Sequence, residues 1–151
     1  MRTSQELLLA DVNVLLALAW PNHQFHRLAT TRFQDRAQQW ATCALTELAF
    51  IRLSSNPATG LGAKRPAEAA ALLAAMTSDP AHEHLSAMPS SASEGFDHVW
   101  SLLAGHQQVM DAYLVCLARH HKATLLTFDF RIAALAQEGC VEILYPGVEP
   151  S

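Results

Sequence analysis

Hydrophobic residues along the chain fall into short runs separated by longer segments with helical spacing. Residues 7–10 are continuously apolar, which is too short for a helix and suits a strand buried on both faces. Similar runs predict four further strands at residues 40–44, 82–87, 123–127 and 141–145. Apolar periodicity and breaker residues predict helices at residues 14–20, 23–39, 47–53, 66–76, 96–103, 109–121 and 130–137. Thr46 is expected to cap the third of these helices.

This alternation of strands and helices predicts an α/β fold with a parallel sheet of four or five strands and right-handed crossovers. The length of 151 residues predicts one domain over residues 1–151, with residues 146–151 as a short tail. No internal repeat or linker divides the chain.

Composition narrows the class of protein. A formal net charge of -4 argues against a broadly basic surface, so any contact with nucleic acid must be local. The three cysteines are odd in number, widely spaced and set in apolar surroundings, and are expected to be reduced core residues.

Asp11 and Asn13 interrupt the one apolar run that resembles an export signal, and no run is long enough for a membrane helix. We therefore expect a cytoplasmic protein with no membrane contact.

Four acidic residues occupy positions where an α/β sheet binds ligands. Asp11 follows the first predicted strand, Glu47 follows the second and Asp129 follows the fourth, while Asp111 opens the helix that leads into that fourth strand. Ligands of parallel sheets bind outside the carboxyl ends of the strands. The sequence therefore predicts that the four carboxylates meet at one edge of the sheet.

Such a cluster requires a counter-charge, because two carboxylates about 4 Å apart repel each other by roughly 4 kcal/mol. No lysine or arginine lies within four residues of Asp11 or Asp111, so a bound cation is favoured over internal salt bridges. Oxygen ligands select hard ions such as Mg²⁺ or Mn²⁺. Three of the acids also have a structural interpretation: Glu47 and Asp111 as first-turn acids of helices, and Asp129 as a turn or cap residue. A charge that closes a buried strand, such as Asp11, is costly unless it is used.

Four blocks of the sequence resemble the PIN-domain family and, within it, the VapC-type toxins of bacterial toxin–antitoxin pairs. The first is L-L-A-D-V-N-V-L-L-A-L at residues 8–18, and the second is T-E-L at residues 46–48. The third is G-H-Q-Q-V-M-D-A-Y-L at residues 105–114, and the fourth is T-F-D at residues 127–129. The blocks lie in the family's order and span nearly the whole chain.

The resemblance implies a Mg²⁺-dependent endoribonuclease that a cognate VapB-like antitoxin holds inactive and that is often a homodimer. Asp11 and Asp111 are then the main metal ligands, Asp129 and Glu47 complete the site, and Glu47 helps to orient the attacking water. Asn13 and Thr127 are supporting residues, and Arg52 and Arg131 are candidate contacts to RNA phosphates. Two departures bear on the number of metal ions. Met110 stands where many relatives carry threonine, and no further acid directly follows Asp129.

Other interpretations of the same residues remain open at this point. A phosphatase of the haloacid-dehalogenase type also places an aspartate after its first strand, but usually carries a second aspartate where this chain has Asn13. A non-catalytic binding module with the same fold is a further alternative. The histidine pairs 23/26 and 82/84 have metal-ligand spacing, without a third ligand in a matching segment. Trp20, Phe25 and Phe50 are candidates for an apolar groove that accepts an antitoxin peptide, or for core packing.

Overall fold

The protein forms a five-stranded, all-parallel sheet flanked by helices, as expected for an α/β fold. This description rests on a computed structural model and covers residues 6–135 and 139–145. The strands are β1 (Leu8–Ala10), β2 (Trp40–Cys43), β3 (His82–Leu85), β4 (Thr124–Thr127) and β5 (Val141–Ile143). The α-helices are α1 (Val12–Ala19), α2 (His26–Arg32), α3 (Ala44–Ser54), α4 (Pro66–Thr77), α5 (Asp97–Ser101) and α6 (Val109–His120). The 3-10 helices are Pro57–Thr59, Glu94–Phe96, His106–Gln108 and Phe130–Leu135.

The strand order β3-β2-β1-β4-β5 places a topological switch point between β1 and β4. The chain moves outward from β1 through β2 to β3, then crosses back to lay β4 against the other side of β1. Crevices that bind ligands in open parallel sheets lie at the carboxyl ends of the strands beside such a reversal. Asp11 follows β1 and Phe128-Asp129 follow β4, so both segments open onto this crevice.

Alternate strand residues point to opposite faces of the sheet and enter two separate cores. Leu8 and Ala10 pack with Val14 and Leu15 of α1, Phe50 of α3 and Leu73 of α4. Leu9, in contrast, packs with Leu114 and Leu117 of α6 on the opposite face. Because both faces of β1 and β4 are covered, the apolar side chains of these strands are buried in continuous runs, as their sequences predict.

The prediction of one long helix at residues 23–39 is wrong. Only His26–Arg32 is helical, and the backbone then turns through residues 33–39. The Asp35 carboxylate accepts from the backbone of Ala37, and the Gln38 side chain donates to two backbone oxygens, those of Glu6 and Gln39. These polar groups stabilise a turn in a segment whose apolar spacing had favoured a helix.

Smaller differences concern the ends of elements. Helix α3 begins at Ala44 with Cys43 as its N-cap, so Thr46 lies inside the first turn, where its hydroxyl accepts from the Cys43 backbone N–H. The segment 96–103 is a 3-10 turn followed by the short α5. Residues from 130 onward form a 3-10 helix to Leu135, and the rest of the helix predicted there, like the tail 146–151, lies outside the described residues.

Of the three candidate groove residues, two are core residues. Phe50 is fully buried, and Trp20 is buried with its indole N–H donating to the Ser54 hydroxyl. Phe25 is partly exposed and packs against Phe128, with ring centroids 5.1 Å apart. An antitoxin groove built from Trp20 and Phe50 is therefore excluded in this conformation.

In the part of the chain that the structure describes, no helix is both long and apolar enough to cross a membrane. No disulfide joins the cysteines, of which Cys43 and Cys140 are buried and Cys116 is half-buried.

Candidate metal centre at the sheet edge

Asp11 closes β1 and caps α1, which fixes its carboxylate at the switch point. Its Oδ1 accepts from the backbone N–H of Val12 at 2.7 Å, and its own backbone N–H donates to the Leu126 carbonyl of β4 at 2.9 Å. The residue is only 5% exposed. Burial raises the pKa of Asp11, while the hydrogen bonds from Thr127 and Val12 lower it and nearby Asp129 raises it. Asp11 is thus a carboxylate held in one orientation against a substantial desolvation cost.

The Thr127 hydroxyl joins three segments of the site. It donates to Asp11 Oδ2 at 2.7 Å and accepts from the Asn13 amide at 3.1 Å and from the Asp129 backbone N–H at 3.1 Å. A hydroxyl has one donor and two acceptor positions, so Thr127 is fully used. The Asn13 amide oxygen in turn accepts from the Phe128 backbone N–H at 3.3 Å. The structure therefore brings Asn13 and Thr127 together beside Asp11.

Asp111 lies in the first turn of α6 and faces the same crevice. Its carboxylate takes part in no hydrogen bond or ion pair with any residue that the structure describes. Burial, followed by the charges of Asp11 and Asp129, raises the pKa of Asp111 to about 6, and Arg131 opposes the shift. Asp111 is the acid in this cluster whose negative charge is least compensated.

Asp129 differs, because Arg131 already neutralises it. The Arg131 guanidinium binds both carboxylate oxygens at 3.0 Å, and the Arg131 backbone N–H donates to Oδ1 at 2.9 Å. This pairing lowers the pKa of Asp129. The expectation that internal salt bridges would not serve the cluster is therefore wrong for Asp129, although no described lysine, arginine or histidine forms an ion pair with Asp11 or Asp111.

Glu47 is on α3 at the same end of the sheet, but its carboxylate binds a different set of groups. Oε2 accepts from the Thr42 hydroxyl and from His84 Nδ1, each at 2.6 Å. Since Thr42 has only one hydroxyl proton, His82 Nε2, which lies 2.8 Å from Thr42 Oγ1, must donate to it. The structure thus brings Asp11, Asp111 and Asp129 together and turns Glu47 toward β3.

Sequence reasoning missed His84 as the partner of Glu47 and His82 as the partner of Thr42. Their spacing of two residues places both on one face of β3, and the parallel register sets His84 beside Thr42. That register depends on β3 pairing with β2, which the residues of the two strands do not reveal by themselves. Arg52 is exposed on α3 and makes no contact that links it to the acidic edge.

Comparison with known proteins shows the family to which the chain belongs. The PIN domain family matches residues 8–138. Ribonuclease VapC39 of Mycobacterium tuberculosis is 39% identical over 138 residues, covering 90% of this chain and 98% of that protein. Ribonuclease VapC38 of the same species is 38% identical over 131 residues, covering 86% and 90%. This chain belongs to the PIN-domain family, among the VapC ribonucleases.

A solved structure shows the same fold at much lower identity. The VapBC2 complex from Rickettsia felis, bound to a DNA fragment from its promoter, contains a chain that matches with a TM-score of 0.63 and 12% identity. The match covers 91% of this chain and 98% of that chain. Membership of the PIN family rules out the alternative of a haloacid-dehalogenase-type phosphatase.

The donor set of this PIN domain suits a hard divalent cation in its chemistry. Asp11 and Asp111 offer carboxylate oxygens, and burial together with the charge of Asp11 raises the pKa of Asp111, which indicates a negative charge that a cation would offset. The described residues contain no group of three or more acids, histidines or cysteines already arranged to hold an ion. Asp11 and Asp111 are the residues that would hold the ion, since Arg131 already binds both carboxylate oxygens of Asp129.

The uncompensated charge predicts a pH-dependent stability of the PIN domain in chelator. At pH values between 3.8, the ordinary pKa of an aspartate, and about 6, the pKa of Asp111 in the folded protein, the folded state retains a proton that the unfolded chain releases. Stability therefore falls as pH rises through this window. Asp111→Asn removes the penalty, and because Asp111 is only half-buried we expect a gain of about 1 kcal/mol at pH 7.5, or about 3 °C in Tm.

Thermal melts in EDTA at pH 4.5 and pH 7.5 measure this effect. Asp97→Asn, at an exposed position on α5, is the matched control and should melt like the wild type at pH 7.5. If Asp111→Asn and Asp97→Asn melt alike at both pH values, Asp111 does not lie in a region of excess negative charge.

Proposed function

We propose that this chain is a Mg²⁺-dependent endoribonuclease and the toxin of a toxin–antitoxin pair. The observation that carries the proposal is the carboxylate of Asp111, unpartnered and with its pKa raised to about 6 beside Asp11 and Asp129 at the switch point of the sheet. Such a repulsive arrangement lowers the stability of the fold, and perturbed pKa values of this kind are concentrated at functional sites.

Asp11 and Asp111 are the main ligands of the cation in this proposal. When bound, the ion supplies an activated water and neutralises charge on the phosphate under attack. Asp11 is prepared for this role, because Thr127 and the N-terminus of α1 hold its carboxylate in one orientation. Asn13 supports the same geometry by tying Thr127 to the backbone after β4.

Asp129 and Glu47 complete the site in different ways. Asp129 holds Arg131 at the rim, where the guanidinium is available to a phosphate of the RNA strand. Glu47, fixed by Thr42 and His84, acts through water and helps to orient the attacking molecule. Arg52 has weaker support as a phosphate contact, since nothing ties it to the crevice.

A cleavage assay with purified full-length protein tests the proposal. Cleavage of a mixed-sequence RNA should stop in EDTA and return with Mg²⁺ or Mn²⁺. Undiminished cleavage in chelator would contradict metal dependence. Absence of cleavage at any metal concentration would favour the non-catalytic binding module instead.

We also propose a VapB-like antitoxin as the partner, on the strength of the VapC relatives and of the VapBC complex among proteins of this fold. A cationic side chain of such a partner would find its counter-charge at Asp11 and Asp111. The expected result is competition: in calorimetric titration, the affinity of the antitoxin's C-terminal peptide should fall as Mg²⁺ is raised. An affinity independent of Mg²⁺ would place inhibition elsewhere on the surface.

A homodimer is a further expectation, which light scattering of the purified protein would test.

A further inference from the structure

A cavity of about 550 Å³ adjoins the acidic edge on the side away from β3. Asp111, Asp129 and Arg131 are among the residues that line it. The rest of the wall comes from the 3-10 helix that precedes α6 and from the 3-10 helix that follows β4. The volume falls within the range of about 300–1,000 Å³ typical of sites for small organic groups.

The other residues that line the cavity are of mixed character. Ala104 and Leu135 supply apolar surface, Ile132 is only 1% exposed, and His106 and Gln107 supply polar groups. A planar aromatic group can lie against the apolar residues, and the polar side chains can bind its edge. Nucleobases have this combination of an apolar face and an edge of hydrogen-bond donors and acceptors.

His106 and Gln107 are exposed, and neither side chain makes a hydrogen bond with any described residue. Their neighbour Gln108 provides the contrast, because its amide oxygen accepts from the Ala104 backbone N–H at 2.8 Å and so holds the loop in shape. In this 3-10 helix, Gln108 therefore has a structural role, while His106 and Gln107 are available to bind a ligand.

We infer that this cavity binds one base of the RNA strand next to the phosphodiester that is cleaved, and that Gln107 and His106 select that base. The inference rests on the proposed ribonuclease function and adds a specificity site to it. An amide side chain presents a donor and an acceptor together, which matches the edge of a base. Asp129 binds Arg131 through Nε and Nη2, which leaves Nη1 available to the phosphate next to that base.

The test has two arms that use the full-length protein. In the first, an RNA pool with randomised sequence is cut, and the base composition on each side of the new ends is read by sequencing. In the second, NMR measures binding of the four ribonucleoside 5′-monophosphates without any requirement for cleavage. Gln107→Ala and His106→Ala are compared with Gln39→Ala, an exposed glutamine at the amino end of β2.

We expect the wild type to prefer a base at one position beside the cut, and Gln107→Ala to reduce that preference about tenfold. His106→Ala should also reduce the base preference. In both variants the total cleavage of the pool should change less than the preference does. Gln39→Ala should match the wild type in both measurements. An unchanged preference in both cavity variants would overturn the inference and leave the nuclease intact. If the wild type cuts no RNA, the proposed function fails, and the nucleotide-binding measurement then tests the base site alone. Weaker nucleotide binding by Gln107→Ala than by the wild type would support a base site. Equal binding by the two proteins, or no binding by the wild type, would overturn it.

Discussion

The Asp111→Asn variant is expected to cleave RNA at least about 100-fold more slowly than the wild type, because it removes charge that the transition state requires. Asparagine keeps the size of the side chain and one oxygen, so the loss would be one of charge rather than of packing. The variant should also be folded and somewhat more stable than the wild type in chelator, since the pKa of Asp111 indicates an unfavourable charge. A variant that is more stable and inactive is the pattern expected of a functional acid.

Initial rates on a fluorogenic RNA oligonucleotide, at several Mg²⁺ concentrations, measure this effect. Asp97→Asn serves as the control and should retain the wild-type rate. Asp11→Asn should lose activity to a similar extent, and the double variant should lose little more, because ligands of one ion act as a unit. A rate for Asp111→Asn within threefold of the wild type would remove Asp111 from the site.

The Thr127→Val variant is expected to be less stable by about 2 kcal/mol, or about 6 °C in Tm, and to lose most of its cleavage activity. Valine has nearly the shape of threonine, but it leaves Asp11 Oδ2, the Asn13 amide and the Asp129 backbone N–H without their shared partner. Buried polar groups that lose a partner bear the full cost of desolvation. The effect on activity follows because the Asp11 carboxylate is no longer held in place.

Thr127→Ser is the matched control, because it retains the hydroxyl and removes only a methyl group. It should recover most of the activity and more than half of the lost stability. Equal losses in Thr127→Val and Thr127→Ser would show that the methyl group, and not the hydrogen bonds, explains the role of Thr127.

The position of the acidic edge could be predicted from sequence because it depends on a general rule of topology. A charged residue directly after a buried strand must lie at the carboxyl end of that strand, which placed Asp11 and Asp129 correctly at the edge of the sheet. The family resemblance supplied the expected chemistry for the same residues. The parallel sheet followed from the alternation of short apolar runs with helical segments.

The partners of each acid could not be predicted, because they depend on side-chain rotamers and on strand order. Arg131 is two residues from Asp129 in a segment predicted as α-helix, and its bidentate contact became evident only in the 3-10 geometry of residues 130–135. Glu47 meets His84 only because β3 pairs with β2. The prediction of a helix at residues 23–39 failed because Asp35 and Gln38 form hydrogen bonds with the nearby backbone, and Gln38 also with the distant Glu6 carbonyl, which apolar spacing does not register.

Mapping of new RNA 5′ ends in cells that express this protein tests the central claim most directly. Cells with the wild type should accumulate new ends at a limited set of sites, and cells with Asp11→Asn, expressed at the same level, should show none of them. If the same ends appear with Asp11→Asn, or if the wild type produces none, the carboxylate edge between β1 and β4 is not the active site of a ribonuclease.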